Sequence, residues 1–306
     1  MKKVLLSGGS GFIGGHLSKL LLEEKVEVTL LARNTNRVPL DIRNNARVIE
    51  YCPYYMTQLY IDDNYDCFFH LGWAGVGVEK KNDLDTQLKN IRCAVEALQF
   101  AKRNRIKKFI SAGTVAEYVF CDDIIDLREK QSPNDYYGAA KVSAHFFLDV
   151  TARMIDKSYI WVVIPSTYGE GRIGKNIITY TIESLLQCER PQYGSLHQMW
   201  DFLYVDDVAR ALMLIGELGI TGKTYGIGSG VYKPLKEYIE EIRDIVNPSA
   251  ELGIGELPEM TTISFSSCVN DKEMRRDTGF TPRYSFEEGI KKTVEWYRER
   301  KTQVKE

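Results

Sequence analysis

The stretch Lys2-Lys3-Val4-Leu5-Leu6-Ser7-Gly8-Gly9-Ser10-Gly11-Phe12-Ile13-Gly14 decides the fold. Val4 to Leu6 is a short uninterrupted apolar run, the pattern of a strand buried on both faces. Beyond the glycines, His16, Leu17, Leu20 and Leu21 recur at helical spacing. The order is strand, glycine turn, helix. Gly8, Gly11 and Gly14 stand at G-x-x-G-x-x-G spacing, and glycine there permits positive φ and close approach of the main chain to a ligand. The amides that open the helix then face an anion, whose charge the helix dipole favours. A dinucleotide pyrophosphate is the expected occupant. The plainer alternative is an ordinary βα turn.

Val26-Glu27-Val28-Thr29-Leu30-Leu31 reads as a second strand, which completes a βαβ unit. Such a unit expects an acid at the end of this strand, accepting from the adenosine ribose. The sequence instead runs Ala32-Arg33-Asn34, with Arg37 close behind. A carboxylate would repel a 2′-phosphate, whereas guanidinium forks attract it. The pattern points to NADP(H) over NAD(H); the alternative is a pair of solvated loop charges.

Ala46 to Tyr51 is a third expected strand and Asp66 to Leu71 a fourth, running into Gly72-Trp73-Ala74-Gly75. His70 reads as a packed strand residue. Asp85 to Arg103 has the pattern of a long amphipathic helix, with Leu88, Ile91, Val95 and Leu98 on its apolar side and Asn90 also on it. The next strand begins at Lys107 and ends Ala112-Gly113-Thr114, and Tyr159 to Ile164 supplies another. Strands alternating with helices predict an α/β fold with a doubly wound parallel sheet. Tyr137 and Lys141 then share one face of a helix running to about Met154. An ammonium beside a phenol favours the phenolate, so a lowered tyrosine pKa is expected, suiting proton transfer near neutral pH.

Composition narrows the classes. The 306 residues are 44% hydrophobic, enough for one large core or two smaller ones. A net charge of −2 gives no basic field for nucleic acid. No apolar run approaches the roughly 20 residues of a membrane span, and too few apolar residues follow Lys2-Lys3 for a secretory signal. Cys52, Cys67, Cys93, Cys121, Cys188 and Cys268 show no C-x-x-C pair. They are expected as buried, reduced thiols of a cytoplasmic protein with no metal site.

Taken together these motifs resemble the extended short-chain dehydrogenase/reductase family, and within it the NAD(P)-dependent nucleotide-sugar epimerases, dehydratases and 4-ketoreductases. The resemblance rests on Gly8-x-x-Gly11-x-x-Gly14, His70-Leu71, Asn90, Thr114, Tyr137-x-x-x-Lys141, Pro165 with Tyr168-Gly169, Trp200 to Asp207, Tyr225 to Gly230, and Gly279 to Pro282. It implies a Rossmann-type dinucleotide domain at 1–165, with about 203–229 returning to it. A smaller mixed α/β C-terminal lobe at 166–202 and 230–306 would bind the nucleotide-sugar in the cleft between them. Phe286 to Arg298 and Leu235 to Val246 are expected helices of that lobe, and Lys301 to Glu306 is expected to fray.

By the same resemblance, Tyr137 exchanges the proton of the sugar hydroxyl or ketone, and Lys141 binds the nicotinamide ribose. Thr114 hydrogen-bonds the reacting oxygen, and Asn90 supports a relay water or the backbone geometry. Gly8, Gly11, Phe12, Ile13, Gly14, Arg33, Asn34, Arg37, Leu71, Gly72, Trp73 and Pro165 are expected around the dinucleotide. Thr114, Val115, Asn176, Arg172 and Trp200 are expected on the substrate side. Trp200 stands where many relatives carry a phosphate-binding arginine; it either stacks on base or sugar or is simply packed. Arg172, Lys175 or Arg190 could supply the missing charge, Arg172 being favoured.

Dehydratases of the family carry Asp-Glu directly after the threonine, and here Val115 and Ala116 occupy those positions. Neither can act as acid or base, which disfavours dehydration. Glu117, one residue later, is expected in a structural or hydrogen-bonding role. The favoured reading is an NADP(H)-dependent 4-ketoreductase of a nucleotide-linked deoxy-ketohexose. A 4-epimerase and a non-catalytic NADP sensor are the alternatives. A homodimer, formed through the helices bearing Asn90 and Tyr137, follows by analogy.

Overall fold

The computed structural model describes residues 1–61, 63–119, 124–174, 176–258 and 267–303, so Cys121 and Lys175 lie outside the described residues. The first half runs β1 (Lys3–Ser7), α1 (Phe12–Glu23), β2 (Glu27–Ala32), α2 (Leu40–Arg43), β3 (Arg47–Glu50), β4 (Cys67–His70), α3 (Leu84–Arg103), β5 (Lys108–Thr114), α4 (Tyr136–Met154) and β6 (Tyr159–Ile164). The second half runs β7 (Ser166–Tyr168), α5 (Ile177–Leu186), β8 (Gln192–Tyr193), β9 (Met199–Trp200), β10 (Phe202–Tyr204), α6 (Val205–Leu218) and β11 (Thr224–Gly226). It continues through β12 (Lys233–Pro234), α7 (Leu235–Val246), β13 (Gly253–Ile254), α8 (Lys272–Thr278) and α9 (Phe286–Gln303).

Seven strands form one parallel sheet in the order β11-β6-β5-β4-β1-β2-β3. The chain builds outward from β1 to β3, crosses back to β4, and builds outward the other way. The direction reverses between β1 and β4, so a crevice opens there at the carboxyl ends of the strands. The glycine turn after β1 stands at that reversal.

Side-chain alternation along the strands divides the core in two. Val4, Leu6, Leu30, Phe69 and Ile110 meet Leu17 and Leu21 of α1 and Val208, Leu212 and Ile215 of α6 on one face. Leu5, Leu31, Phe68, Phe109 and Trp161 meet α3 and α4 on the other, through Ala94, Ala97, Leu98, Ala144 and Leu148. Small residues at these positions let both helices sit close to the sheet. The buried stripe of α3 is therefore rotated from the expected one: Leu98 is buried, but Leu88 is 54% exposed.

A third core lies apart from the sheet. It gathers Ile178 and Ile182 of α5, Tyr238, Ile239 and Ile242 of α7, and Ile290 and Val294 of α9 around Tyr168, Phe202 and Tyr204. Short strand pairs β10–β7, β12–β9 and β13–β8 accompany it. The thiols divide differently from the expectation: Cys67, Cys93 and Cys268 are buried, whereas Cys52 and Cys188 are exposed. Both exposed thiols lie outside regular strands and helices, where no sheet face covers them. Among the described residues no helix is long and apolar enough to cross a membrane.

Candidate active site

The turn after β1 is closed by the Gly11 N–H donating to the Gly8 carbonyl at 2.9 Å. Gly8 has φ +83°, and a Cβ there would lie 2.8 Å from the Gly72 nitrogen, so the turn presses against the chain leaving β4. A Cβ on Gly14 would lie 2.2 Å from the Gly8 carbonyl oxygen. These two glycines draw the strand end, the helix start and the β4 loop together. No side chain caps the first amides of α1. The result is a cradle of main-chain N–H groups at a helix N-terminus, which fits a pyrophosphate.

Two adjoining cavities run across the strand ends, of about 380 Å³ and about 190 Å³. Gly8, Gly11, Leu71 and Trp73 line both, so they form one crevice. The larger is also lined by Phe12, Ile13, Gly14, Thr114, Val115, Tyr137, Lys141, Pro165 and Arg172. The smaller is lined by Gly72, Ala32, Arg33, Tyr51, Tyr54, His70 and Asn90.

Thr114 and Tyr137 both line the larger cavity, and the Thr114 side chain favours the Tyr137 phenolate against the effect of burial. Lys141 is only 4% exposed. Its Nζ donates to the Ala112 carbonyl at 2.6 Å and lies 3.8 Å from the centre of the Trp73 ring. It is 6.0 Å from the centre of the Tyr137 ring. The expected lowering of the tyrosine pKa is corrected by this geometry. Burial pushes the Tyr137 phenol up to about 12. The ammonium is aimed at a carbonyl and an indole, and the charge of Glu117 opposes phenolate formation. Burial pushes Lys141 toward its neutral form, while Glu117 holds it up.

Glu117 lies on a 3₁₀ turn, Val115–Glu117, at the end of β5. Its Oε1 accepts from the Thr114 N–H at 2.8 Å and its Oε2 accepts from Trp161 Nε1 at 3.3 Å. It does not line the cavity; Val115 does.

Helix α3 fastens the loop after β4. Asn90 accepts from the Ala74 N–H at 3.0 Å and donates to the Ala74 carbonyl at 2.8 Å. Gln87 accepts from Trp73 Nε1 at 2.9 Å and donates to the Gly75 carbonyl at 2.9 Å. The side of α3 toward the sheet thus pins the loop that carries Trp73. Sequence reasoning found Asn90 but missed Gln87. The signal was two amides at i, i+3 on a stripe of alanines. It also passed over Ser7, whose Oγ hydrogen-bonds His70 Nδ1 at 2.9 Å. Burial pushes His70 down to about 3 and Lys141 adds to that, so the ring is neutral and packed.

At the outer end, Arg33 lines the smaller cavity with Tyr51 and Tyr54, and the same three residues continue into a more open hollow that Glu50 also lines. Asn34 and Arg37 do not line it; Asn34 accepts from the Asn36 N–H at 2.9 Å and shapes the following turn. On the other side, the Arg172 guanidinium lies 5.3 Å from the centre of the Phe12 ring, at the cavity wall. Asn176 caps α5 by accepting from the Thr179 N–H at 3.1 Å and does not line the crevice. Neither does Trp200, whose ring sits 6.0 Å from that of Phe202, beside the third core. Arg190 pairs with Glu256 at 2.5 Å, away from the cavity.

The family model for the NAD dependent epimerase/dehydratase family matches residues 4–228. A dTDP-glucose 4,6-dehydratase of Streptomyces niveus is 24% identical over 325 residues, covering 97% of this chain and 93% of that protein. Among solved structures, a UDP-N-acetylglucosamine 4-epimerase from Methanobrevibacter ruminantium, in complex with UDP-N-acetylmuramic acid, superposes with a TM-score of 0.87 at 22% identity. It covers 98% of this chain and 99% of its own. A dTDP-glucose 4,6-dehydratase from Bacillus anthracis, in complex with NAD, superposes with a TM-score of 0.82 at 19% identity, covering 99% and 98%.

Proposed function

The chain belongs to the NAD dependent epimerase/dehydratase family, and from that premise we propose that it is an NADP(H)-dependent 4-ketoreductase of a nucleotide-linked deoxy-ketohexose. The observation that carries the cofactor choice is the outer end of the crevice. There Ala32 stands where an acid is expected and Arg33 lines the cavity, while Glu50 lines only the more open hollow that adjoins it. Such a wall favours a 2′-phosphate over a free ribose hydroxyl pair. A cofactor of that kind is suited to be consumed and exchanged each cycle, as a reductase requires.

The inner end supports the same direction. The hydride chemistry is supplied by the dinucleotide when it is bound. Tyr137, held as a protonated phenol by burial, donates its proton to the ketone oxygen. Thr114 donates a hydrogen bond to that oxygen and keeps Tyr137 in line. Lys141, fixed between Ala112 and Trp73, presents its amine to the nicotinamide ribose. The two residues after Thr114 carry no carboxylate, and Glu117 is turned into the protein. Relatives named as dehydratases align along most of the chain, and a solved one has the same fold, but this site lacks the acid pair that would remove a C5 proton.

Residues 166–202 and 230–306 form, in this proposal, the lobe that holds the nucleotide-sugar, with Arg172 facing its phosphates. The exposed apolar side chains Leu84 and Leu88 on α3, with Phe146, Phe147 and Val150 on α4, form the face that a second copy covers. Size-exclusion chromatography with light scattering tests that dimer.

The function is tested by incubating the protein with NADPH and 4-keto sugars linked to CDP, dTDP, UDP or GDP, following absorbance of the reduced nicotinamide. Loss of NADPH in step with product supports reduction. Product without net NADPH loss assigns the chain to epimerisation instead. The absence of turnover with bound dinucleotide assigns it to the sensor alternative.

A further inference from the structure

We propose that Glu117 is a positioning residue of this site, which sets the direction of the Thr114 hydroxyl and stands as the buried counter-charge of Lys141. The proposal rests on the reading above for the roles of Thr114 and Lys141 and deepens it.

Glu117 is fully buried. A carboxylate in that position is costly unless hydrogen-bonded and paired. Its two oxygens are divided between the Thr114 N–H at 2.8 Å and the Trp161 indole N–H at 3.3 Å. The Thr114 Oγ1 in turn accepts from the Ala116 N–H at 3.3 Å. That engages a lone pair of the hydroxyl on the protein side and leaves its proton free to be donated into the cavity, which Thr114 and Tyr137 both line. The strand is shaped for this arrangement. A Cβ on Gly113 would lie 2.3 Å from Trp161 Nε1 and 2.6 Å from Glu117 Oε1.

The link to Lys141 passes the same indole. Lys141 Nζ is 5.9 Å from the centre of the Trp161 ring and bonds the Ala112 carbonyl, two residues before Thr114. Ammonium and carboxylate thus stand around Trp161 of β6, beside the last residues of β5, both shut off from solvent. Burial pushes each toward its neutral form, and each charge holds the other. The other groups that face the pair are Tyr137 on α4, Tyr118 beside Glu117, Tyr159 on β6 and His70 on β4. All four are kept neutral by burial. His145 of α4 stacks on Trp161 at 4.8 Å and is also held neutral. Among the described residues Glu117 is the anion next to Lys141.

The test reads Lys141 directly. The full-length protein and its Glu117→Gln variant are exposed to trace acetic anhydride across about pH 5 to 10, and acetylation of Lys141 is quantified by mass spectrometry. Loss of the carboxylate lowers the pH midpoint of Lys141 labelling by about one unit or more, because an unpaired buried ammonium is disfavoured. An unchanged midpoint overturns the proposal. Glutamine sets an NH₂ against the Trp161 N–H, so Glu117→Gln/Trp161→Phe is run beside it to separate misfolding from charge loss. A midpoint in this double variant equal to that of Trp161→Phe alone also overturns the proposal. The labelling needs no substrate. A lowered midpoint in a protein that reduces none of the nucleotide-sugars upholds the pairing while removing the proposed reaction. In an active protein, Glu117→Gln lowers kcat with little change in KM for the sugar. The converse, a raised KM at unchanged kcat, overturns the positioning role.

Discussion

The ammonium of Lys141 lies 3.8 Å from the centre of the Trp73 ring, although the two residues come from distant segments of the chain. Lys141 belongs to α4, while Trp73 belongs to the loop after β4 that α3 fastens through Gln87 and Asn90. A cation over an indole face in a desolvated site is worth about 1–2 kcal/mol. Trp73→Leu is therefore expected to lower stability by that amount, read from urea unfolding at unchanged m. In a double-mutant cycle with Lys141→Met the two losses should fall short of additive, since the pair can be broken only once. Strict additivity would show that the contact carries no energy.

Tyr137→Phe should reduce turnover by roughly 10²- to 10⁴-fold, the range of a lost general acid. Dinucleotide affinity, measured by quenching of tryptophan fluorescence, should be unchanged. Retained activity would reassign the proton donor. The pH profile carries a matching sign. A phenol pushed up to about 12 stays protonated through neutral and mildly basic solution. Reduction should therefore show no loss from tyrosine deprotonation until the pH nears that value.

Arg33→Ala should weaken NADPH by roughly tenfold or more, as expected for loss of a charge-assisted hydrogen bond, and leave NADH nearly unaffected. Isothermal titration with both dinucleotides reads the difference. Equal losses would mean that Arg33 does not face the 2′-phosphate. Arg37, which does not line the crevice, serves as the comparison, and Arg37→Ala should change little.

His145 supplies a pH dependence of stability. Its ring stacks on Trp161 and hydrogen-bonds the Thr224 hydroxyl at 3.2 Å, and burial pushes its pKa down to about 4. The unfolded chain takes up a proton near pH 6.5 that the folded chain refuses. Stability from this group is therefore present above about pH 6.5 and lost as pH falls toward 4, by up to about 1.4 kcal/mol per pH unit. His145→Gln should flatten the urea midpoint between about pH 7 and pH 5. An equally steep decline in the variant would place the acid sensitivity elsewhere, with buried His70 the next group to test.

The sequence by itself determined the doubly wound sheet and the position of its crevice. Apolar runs of strand length, helical stripes between them and the three glycines at fixed spacing are local signals, each written within a dozen or so residues. Thr114, Tyr137 and Lys141 were legible for the same reason, being a strand end and one helix face. The loss of the acid pair at Val115 and Ala116 could be read directly. What only the tertiary structure decided depends on contacts between segments far apart in the chain. The stripe of α3 that faces the sheet was misplaced because alanines, which pack closest, score weakly as hydrophobic, while Leu88 is turned outward. The tyrosine pKa went up because burial by the whole fold outweighs a lysine whose amine is drawn to Ala112 and Trp73. Arg33 and Arg37 read alike in sequence, yet only Arg33 lines the cavity, since the turn shaped by Asn34 carries Arg37 past it. Glu117 read as a structural acid, and only the meeting of β5, β6 and α4 around Trp161 set its charge beside Lys141.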